Sequence, residues 1–229
     1  MQNASTKMTS ATITARPFTY APPLTPLDIT YRDDDILVIN KPSGLLSVPG
    51  KTQPDCAEAR VQTEYPNALT IHRLDMATSG LLVFALNPNA QRHIGLQFEK
   101  RMIEKSYIAR TAGHVMGQSG HINLPLICDW PNRPRQMVSF EHGKSAQTDW
   151  QVIAREDNAT RLMLHPKTGR SHQLRVHMFA MGHPILGDRL YADDDNFARA
   201  DRLQLHAQSL RLRKPTGGEW LEVTAKCPF

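Results

Sequence analysis

Four short stretches of the chain set reactive side chains beside turn residues. Lys41-Pro42-Ser43-Gly44 ends an apolar run, and His72-Arg73-Leu74-Asp75-Met76-Ala77-Thr78-Ser79-Gly80 precedes another. Lys105-Ser106-Tyr107-Ile108-Ala109 reads as a strand, and Gly169-Arg170-Ser171-His172-Gln173-Leu174-Arg175-Val176-His177 crosses a helix start. Taken singly, each has an ordinary explanation. A Pro-Gly turn is usually only a turn, a loop aspartate such as Asp75 caps or pairs with a neighbour, and a strand tyrosine is commonly a core ring. His72, His172 and His177 match no metal-ligand spacing, so capping or surface roles are favoured over a metal site. His72-Arg73-Leu74-Asp75 resembles a kinase catalytic loop only with Asp and Leu exchanged, and no glycine loop or DFG accompanies it.

Charge along the chain is more suggestive. No acid occurs from Arg161 to Gly187, while Arg161, Lys167, Arg170 and Arg175 lie there with four of the ten histidines. A solvated basic face is the plain reading. Contact with a phosphate backbone is the sharper one, since a helix N-terminus at Ser171 would add free N–H groups and a favourable dipole.

The elements that must position these residues follow from the apolar pattern. Ile36–Ile39 and Leu81–Leu86 read as strands, the second continuously apolar and hence buried. Asn87-Pro88 pairs an N-cap with a first-turn proline, predicting a helix to about Lys100. A short helix is expected within 50–70, and strands at 105–111, 121–126, 136–141, 146–154, 161–165, 204–211 and 219–225. Ser171 is expected to cap a helix that ends at Gly182 with Leu174, Met178 and Met181 as its apolar stripe. Many short strands with two or three helices imply an α+β protein on a mostly antiparallel sheet.

Composition sets outer bounds. The 229 residues are 40% hydrophobic and 21% charged, as in an ordinary globular protein. A net charge of +5 favours polyanionic partners weakly. No apolar run is long enough to span a membrane. Cys56, Cys128 and Cys227 form no CxxC pair, which argues against a disulfide framework or zinc ribbon and fits a reducing cytoplasm. The first 27 residues contain no acid and are rich in Ser, Thr and Pro. They lack a secretory apolar region and are poorly charged for a transit peptide, so a flexible lead-in of 1–27 before one domain of 28–229 is expected.

Together, HRLD-x-x-TSG at 72–80 and GR-x-HQLR-x-H at 169–177 closely resemble the RluA family of pseudouridine synthases. The KPSG turn, K-x-Y-x-A at 105–109 and Gly182-His183-Pro184-Ile185-Leu186-Gly187-Asp188 add to the resemblance, which runs from about Asp28 to the end. The segment Leu124–Pro134 resembles the dual-specificity branch of that family. The resemblance implies a bent, mixed, mostly antiparallel sheet with flanking helices and a central catalytic cleft. It implies Asp75 as the catalytic aspartate, Tyr107 as the ring packed on the target base, Arg175 as the partner of the aspartate, and Arg73 as the side chain that helps displace the base. His72, Arg170, His172, Lys41 and Lys105 are the further candidates for RNA contact. Several relatives carry an S4-like domain for which residues 1–27 are too short, so substrate choice is expected to lie in the catalytic domain. The expected partners are a 23S rRNA hairpin and a tRNA anticodon arm, with no metal, no cofactor and a monomeric state.

Those residue types suit the reaction. Pseudouridine formation breaks N1–C1′, turns the uracil and joins C5 to C1′. Because uracil leaves as a stabilised anion within the site, one carboxylate suffices where glycosidases use two. Asp75 could attack C1′ or take a proton from C2′, and an adjacent arginine would favour its charged form. The base must first be flipped out, at a cost of a few kcal/mol. Arg73 could fill the vacated stack and Tyr107 could cover the extruded uracil. The C5 proton then needs an acceptor, for which the Tyr107 hydroxyl is a candidate. Three rivals remain on the residues alone: a non-catalytic RNA binder, an RNA hydrolase or glycosylase, and a metal-dependent enzyme.

Overall fold

The computed structural model describes residues 16–229. Residues 16–27 carry no regular element. They are nonetheless tied to the body: Arg16 donates to the Arg189 and Ala192 carbonyls and pairs with Asp194, and Tyr20 bridges Asp55 and Leu46. The expected lead-in therefore lies outside the described residues only in its first part.

The chain then forms β1 (Asp28–Arg32), β2 (Ile36–Lys41), α1 (Ala57–Glu64), β3 (Leu69–Thr70) and β4 (Ser79–Ala85). Helix α2 (Pro88–Glu99) follows, then β5 (Glu104–Ala112), β6 (Ser119–Asn123), β7 (Leu126–Cys128), β8 (Gln136–Val138), β9 (Gln147–Glu156) and β10 (Ala159–Pro166). The chain ends with α3 (Gln173–Ala180), α4 (Asp194–Ala198), β11 (Leu205–Arg213) and β12 (Trp220–Thr224).

Ten strands make one sheet in the order β1-β2-β4-β11-β5-β10-β9-β6, with β12 on β11 and β3 on β4. All pairings are antiparallel except β4 with β11. Strands β7 and β8 form a separate hairpin. The fold is thus α+β on a mixed, mostly antiparallel sheet with flanking helices.

The β4–β11 junction shows why a glycine stands at position 80. Its φ is +113°, and a Cβ there would lie 2.2 Å from the Ala207 carbonyl oxygen, so no other residue fits the crossing. Strand β4 is buried along its whole length, as the unbroken apolar run from Leu81 onward requires. Asn87 caps α2 by accepting from the Ala90 N–H, with Pro88 in the first turn. At the end of α3, the Gly182 and His183 N–H groups donate to the Phe179 and Met178 carbonyls, with Gly182 at φ +82°. That is a Schellman stop.

The start of α3 differs from the expectation. Ser171 is exposed and does not cap; His172 takes the N-cap place at φ 54° with no side-chain cap bond. Gln173 organises the turn instead, its side-chain oxygen accepting from the Arg170 N–H and the Thr168 hydroxyl. The side chain that bonds back lies after the helix start, where a search for a preceding Ser or Thr does not look. Position 124–125 also breaks the expected 121–126 strand, because Pro125 cannot extend β6.

Candidate active site

Asp75 lies in the loop that precedes β4, and the loop is held from below by an unexpected clamp. Lys41, at the end of β2, is wholly buried. Its ammonium donates to the Pro42, Leu45 and Met76 carbonyls at 2.9, 2.7 and 3.0 Å. This corrects its expected role: a buried lysine whose three donors are all spent cannot touch RNA. It fixes the backbone beside Asp75. Burial pulls its pKa down to about 7, against the opposing pull of the Asp75 charge. Ser47 and Ser43 pin the same loop, donating to the Leu74 and Ala77 carbonyls.

Arg175 reaches Asp75 from α3. Its Nη1 donates to Asp75 Oδ2 at 3.2 Å, while Nε and Nη2 form a fork on both oxygens of Asp188 at 2.7 Å each. Burial alone would weaken the guanidinium's hold on its proton, but Asp188 and then Asp75 more than reverse this and push its pKa up. Asp188 is itself buried and also accepts from the Leu190 and Tyr191 N–H groups. Its side chain fixes the guanidinium plane, and the third edge of that plane meets Asp75. Asp188 was visible in the sequence only as the end of a familiar motif; nothing in its spacing pairs it with Arg175 thirteen residues earlier.

Tyr107 stands on β5 opposite Ala207 of β11 and Leu164 of β10. With Asp75, Arg73, Lys105, Arg170, His172 and Arg175 it lines one cleft. Burial and the Asp75 charge push its phenol pKa up. The cleft continues into a larger groove of about 570 Å³ bounded by Arg73, Arg101, Lys105, Lys167 and Arg170. Arg73 is exposed and makes no hydrogen bond or ion pair among the described residues. Arg170 is also exposed and donates to the Ser145 carbonyl. Lys105 is half-buried, 5.9 Å above the Phe98 ring, and burial lowers its pKa.

His72 has a different task from these. Its Nε2 accepts from the Val83 N–H at 3.1 Å, and its ring stacks on Phe98 with centroids 4.6 Å apart. Burial, reinforced by Lys105, pushes its pKa down to about 3. Burial also lowers His177 and His206, each wrapped in hydrogen bonds. Below the ordinary value of 6.5 the unfolded chain therefore binds more protons than the folded one. Stability must then fall as pH drops from that value toward 3. His72 alone should cost about 1.4 kcal/mol at about pH 5.5. Urea midpoints near neutrality and near that pH measure it; an unchanged midpoint would mean that these rings titrate alike in both states.

The acid-free tract is compensated in space. Arg161 pairs with Glu156, Lys167 with Asp149, and Arg175 with Asp188. His177 and His183 bond backbone or side-chain oxygens within the fold. Local sequence cannot show acids that arrive from other strands, so the phosphate reading narrows to Arg170, which is exposed and pairs with no acid among the described residues. Among the described residues no group of three or more His, Cys, Asp or Glu could hold a metal ion.

A carboxylate held by a forked arginine thus lies beside an aromatic ring in a cleft also lined by Arg73, Lys105 and Arg170. Comparison with known proteins identifies the family. Residues 35–180 match the family described as RNA pseudouridylate synthase. The dual-specificity RNA pseudouridine synthase RluA of Yersinia pestis is 54% identical over 204 residues, 88% of this chain and 99% of that protein. The protein of the same name from Escherichia coli K12 is 52% identical over 92% of this chain and 98% of its own. The structure of human RNA pseudouridylate synthase domain containing 1 superposes with a TM-score of 0.76 at 31% identity, covering 93% of this chain and 87% of that one. The chain belongs to the RluA family of RNA pseudouridine synthases and is an isomerase of uridine in RNA.

Proposed function

We propose that this synthase modifies two RNA classes, a 23S rRNA hairpin and a tRNA anticodon arm, with Asp75 as the carboxylate that acts on the ribose. The observation that carries the catalytic part is the Asp188–Arg175–Asp75 chain, which holds one oxygen of Asp75 and leaves the other without a hydrogen bond among the described residues. That free oxygen can attack C1′ or remove the C2′ proton. Either route releases a uracil anion that turns and rejoins through C5. Tyr107 provides the ring on which an extruded base can lie. Arg73, exposed at the rim and without a hydrogen bond or ion pair among the described residues, has the reach to fill the vacated stack, with Arg170 and Lys105 beside the RNA strand. The two-substrate part is supported by the dual-specificity description of relatives that match along nearly their whole length.

A transcribed tRNA and an rRNA hairpin, each tritiated at uridine C5 and incubated with the protein in chelator, should both release tritium to water. Release from one RNA only would confine the enzyme to a single class. Free uracil or cut chains in place of released tritium would point to a glycosylase or nuclease and sink the isomerase reading of this cleft.

A further inference from the structure

His172 sits at the cleft wall in a backbone conformation that side chains seldom adopt, φ 54°, and its Nε2 lies 3.9 Å from Asp75 Oδ2. That separation is too long for a direct hydrogen bond. What the imidazole presents to the gap follows from its other side. His172 Nδ1 is 2.8 Å from the hydroxyl of Tyr191, which is 1% exposed. The Tyr191 oxygen already accepts from the Gln136 N–H at 2.8 Å. A buried hydroxyl needs an acceptor for its own hydrogen, and among the described residues Nδ1 is the one acceptor paired with it. Nδ1 is therefore unprotonated and the neutral ring carries its hydrogen on Nε2, facing Asp75. Burial lowers the His172 pKa, against the opposing Asp75 charge, which agrees with a neutral ring.

An N–H donor and a carboxylate oxygen, held 3.9 Å apart, leave room for one small group that can both accept and donate. A carbonyl of uracil would be repelled by the carboxylate; a hydroxyl fits both sides. The hydroxyl nearest the reacting carbon is the ribose 2′-OH. The two oxygens of a carboxylate are also spaced about as far apart as ribose C1′ and its 2′-oxygen, so Oδ1 can meet the sugar while Oδ2 takes the hydroxyl. We propose that His172 Nε2–H and Asp75 Oδ2 form the socket for the target's 2′-hydroxyl, which makes His172 a catalytic residue that favours ribose over deoxyribose. Resting on Asp75 as the acting carboxylate, the proposal adds a reason for the buried His172–Tyr191–Gln136 chain behind it. Through Gln136 the socket is also built from β8 of the separate hairpin.

The test is a cycle of two enzymes and two substrates. RNA hairpins carry either uridine or 2′-deoxyuridine, tritiated at C5, at the position the wild type modifies, and turnover is followed with enzyme in excess. His172→Asn is the variant of choice because asparagine tolerates the left-handed backbone. Wild type should prefer the ribose target by roughly tenfold or more, the weight of a hydrogen bond to a charged group. His172→Asn removes the neutral N–H bond and keeps the one to Asp75, so it should slow the ribose target about three- to tenfold more than the deoxyribose target in the single-turnover rate. Equal slowing on both targets overturns the proposal, since a merely structural role would act on both. Should the deoxyribose target react too slowly to count, the ratio of the two Kd values is read instead; it must fall in the variant by the share that the His172 N–H contributes. Nitrogen NMR of the free protein must show His172 as the Nε2–H tautomer, and an Nδ1–H ring overturns the proposal whatever the rates. Asp75→Ala runs alongside: turnover in that variant would remove the parent reading, whereas a dead Asp75→Ala with equal slowing by His172→Asn removes the socket alone.

Discussion

Asp75→Ala should bind RNA and release no measurable tritium, a loss of about 10⁴-fold or more in turnover. The size of the effect follows from how the site is arranged. Among the described residues lining the cleft, Asp75 is the one carboxylate. Asp188 cannot stand in for it, because both its oxygens are engaged by Arg175 and it has no exposed surface. The Tyr107 phenol cannot replace it as an anion, since burial and the Asp75 charge both favour its protonated form. Removal of the charge should also be gentle on the fold. Asp75 is partly exposed, and its guanidinium partner keeps its two shorter bonds to Asp188. A melting temperature close to wild type, RNA affinity within a few-fold, and no tritium release would together place the chemistry on this side chain. Measurable turnover in Asp75→Ala would mean that the cleft binds RNA and another group carries the reaction. Asp75→Asn separates charge from shape: it keeps the side-chain volume and should be as inactive as alanine.

How much of this was readable from the sequence depends on whether each contact is local or distant. Strand β4 and helix α2 were plain, since an unbroken apolar run and an Asn-Pro start act within a few residues. The pairing of Asp75 with Arg175 was expected from the family resemblance, and the structure brings the two together across one hundred positions. Lys41 was misplaced because a lysine in a turn motif resembles a surface charge. Its burial depends on three carbonyls contributed by folding, one of them from the loop at Met76. Ser171 was misplaced for a related reason, as the cap-like side chain is Gln173, which bonds backward. Asp188 and Tyr191 were missed altogether as site residues. They act only through Arg175 and His172, and no spacing rule announces a residue whose partner is another functional side chain. The groove beyond Tyr107 is likewise an assembly of α2, β5 and the turn before α3, which no single stretch foretells.

The second large effect is expected at Arg175. Its guanidinium meets two carboxylates at once, with three N–H groups in one plane. Arg175→Lys keeps the charge and loses the fork. One ammonium on a flexible stem can satisfy Asp188 or approach Asp75, and its geometry cannot do both. If it stays on Asp188, Asp75 loses the contact that orients Oδ2, and the carboxylate can turn away from the sugar. If it moves to Asp75, Asp188 is left buried with only the Leu190 and Tyr191 N–H groups. Leaving a buried charge without its partner costs about 3–5 kcal/mol, so the first arrangement should prevail. The expected result is a fall in kcat of about 100-fold or more, with KM changed little, and a stability loss smaller than that of Arg175→Ala. Asp188→Asn gives the complementary case: the Asp75 contact remains, but the guanidinium is no longer held in plane from behind. It should lower both stability and kcat, and lowering the assay temperature should recover little of the kcat. Near-normal turnover in Arg175→Lys would show that Asp75 needs only a nearby positive charge. Loss of turnover with the fold intact would show that it needs the plane, and that the buried Asp188 is part of the site because it sets that plane.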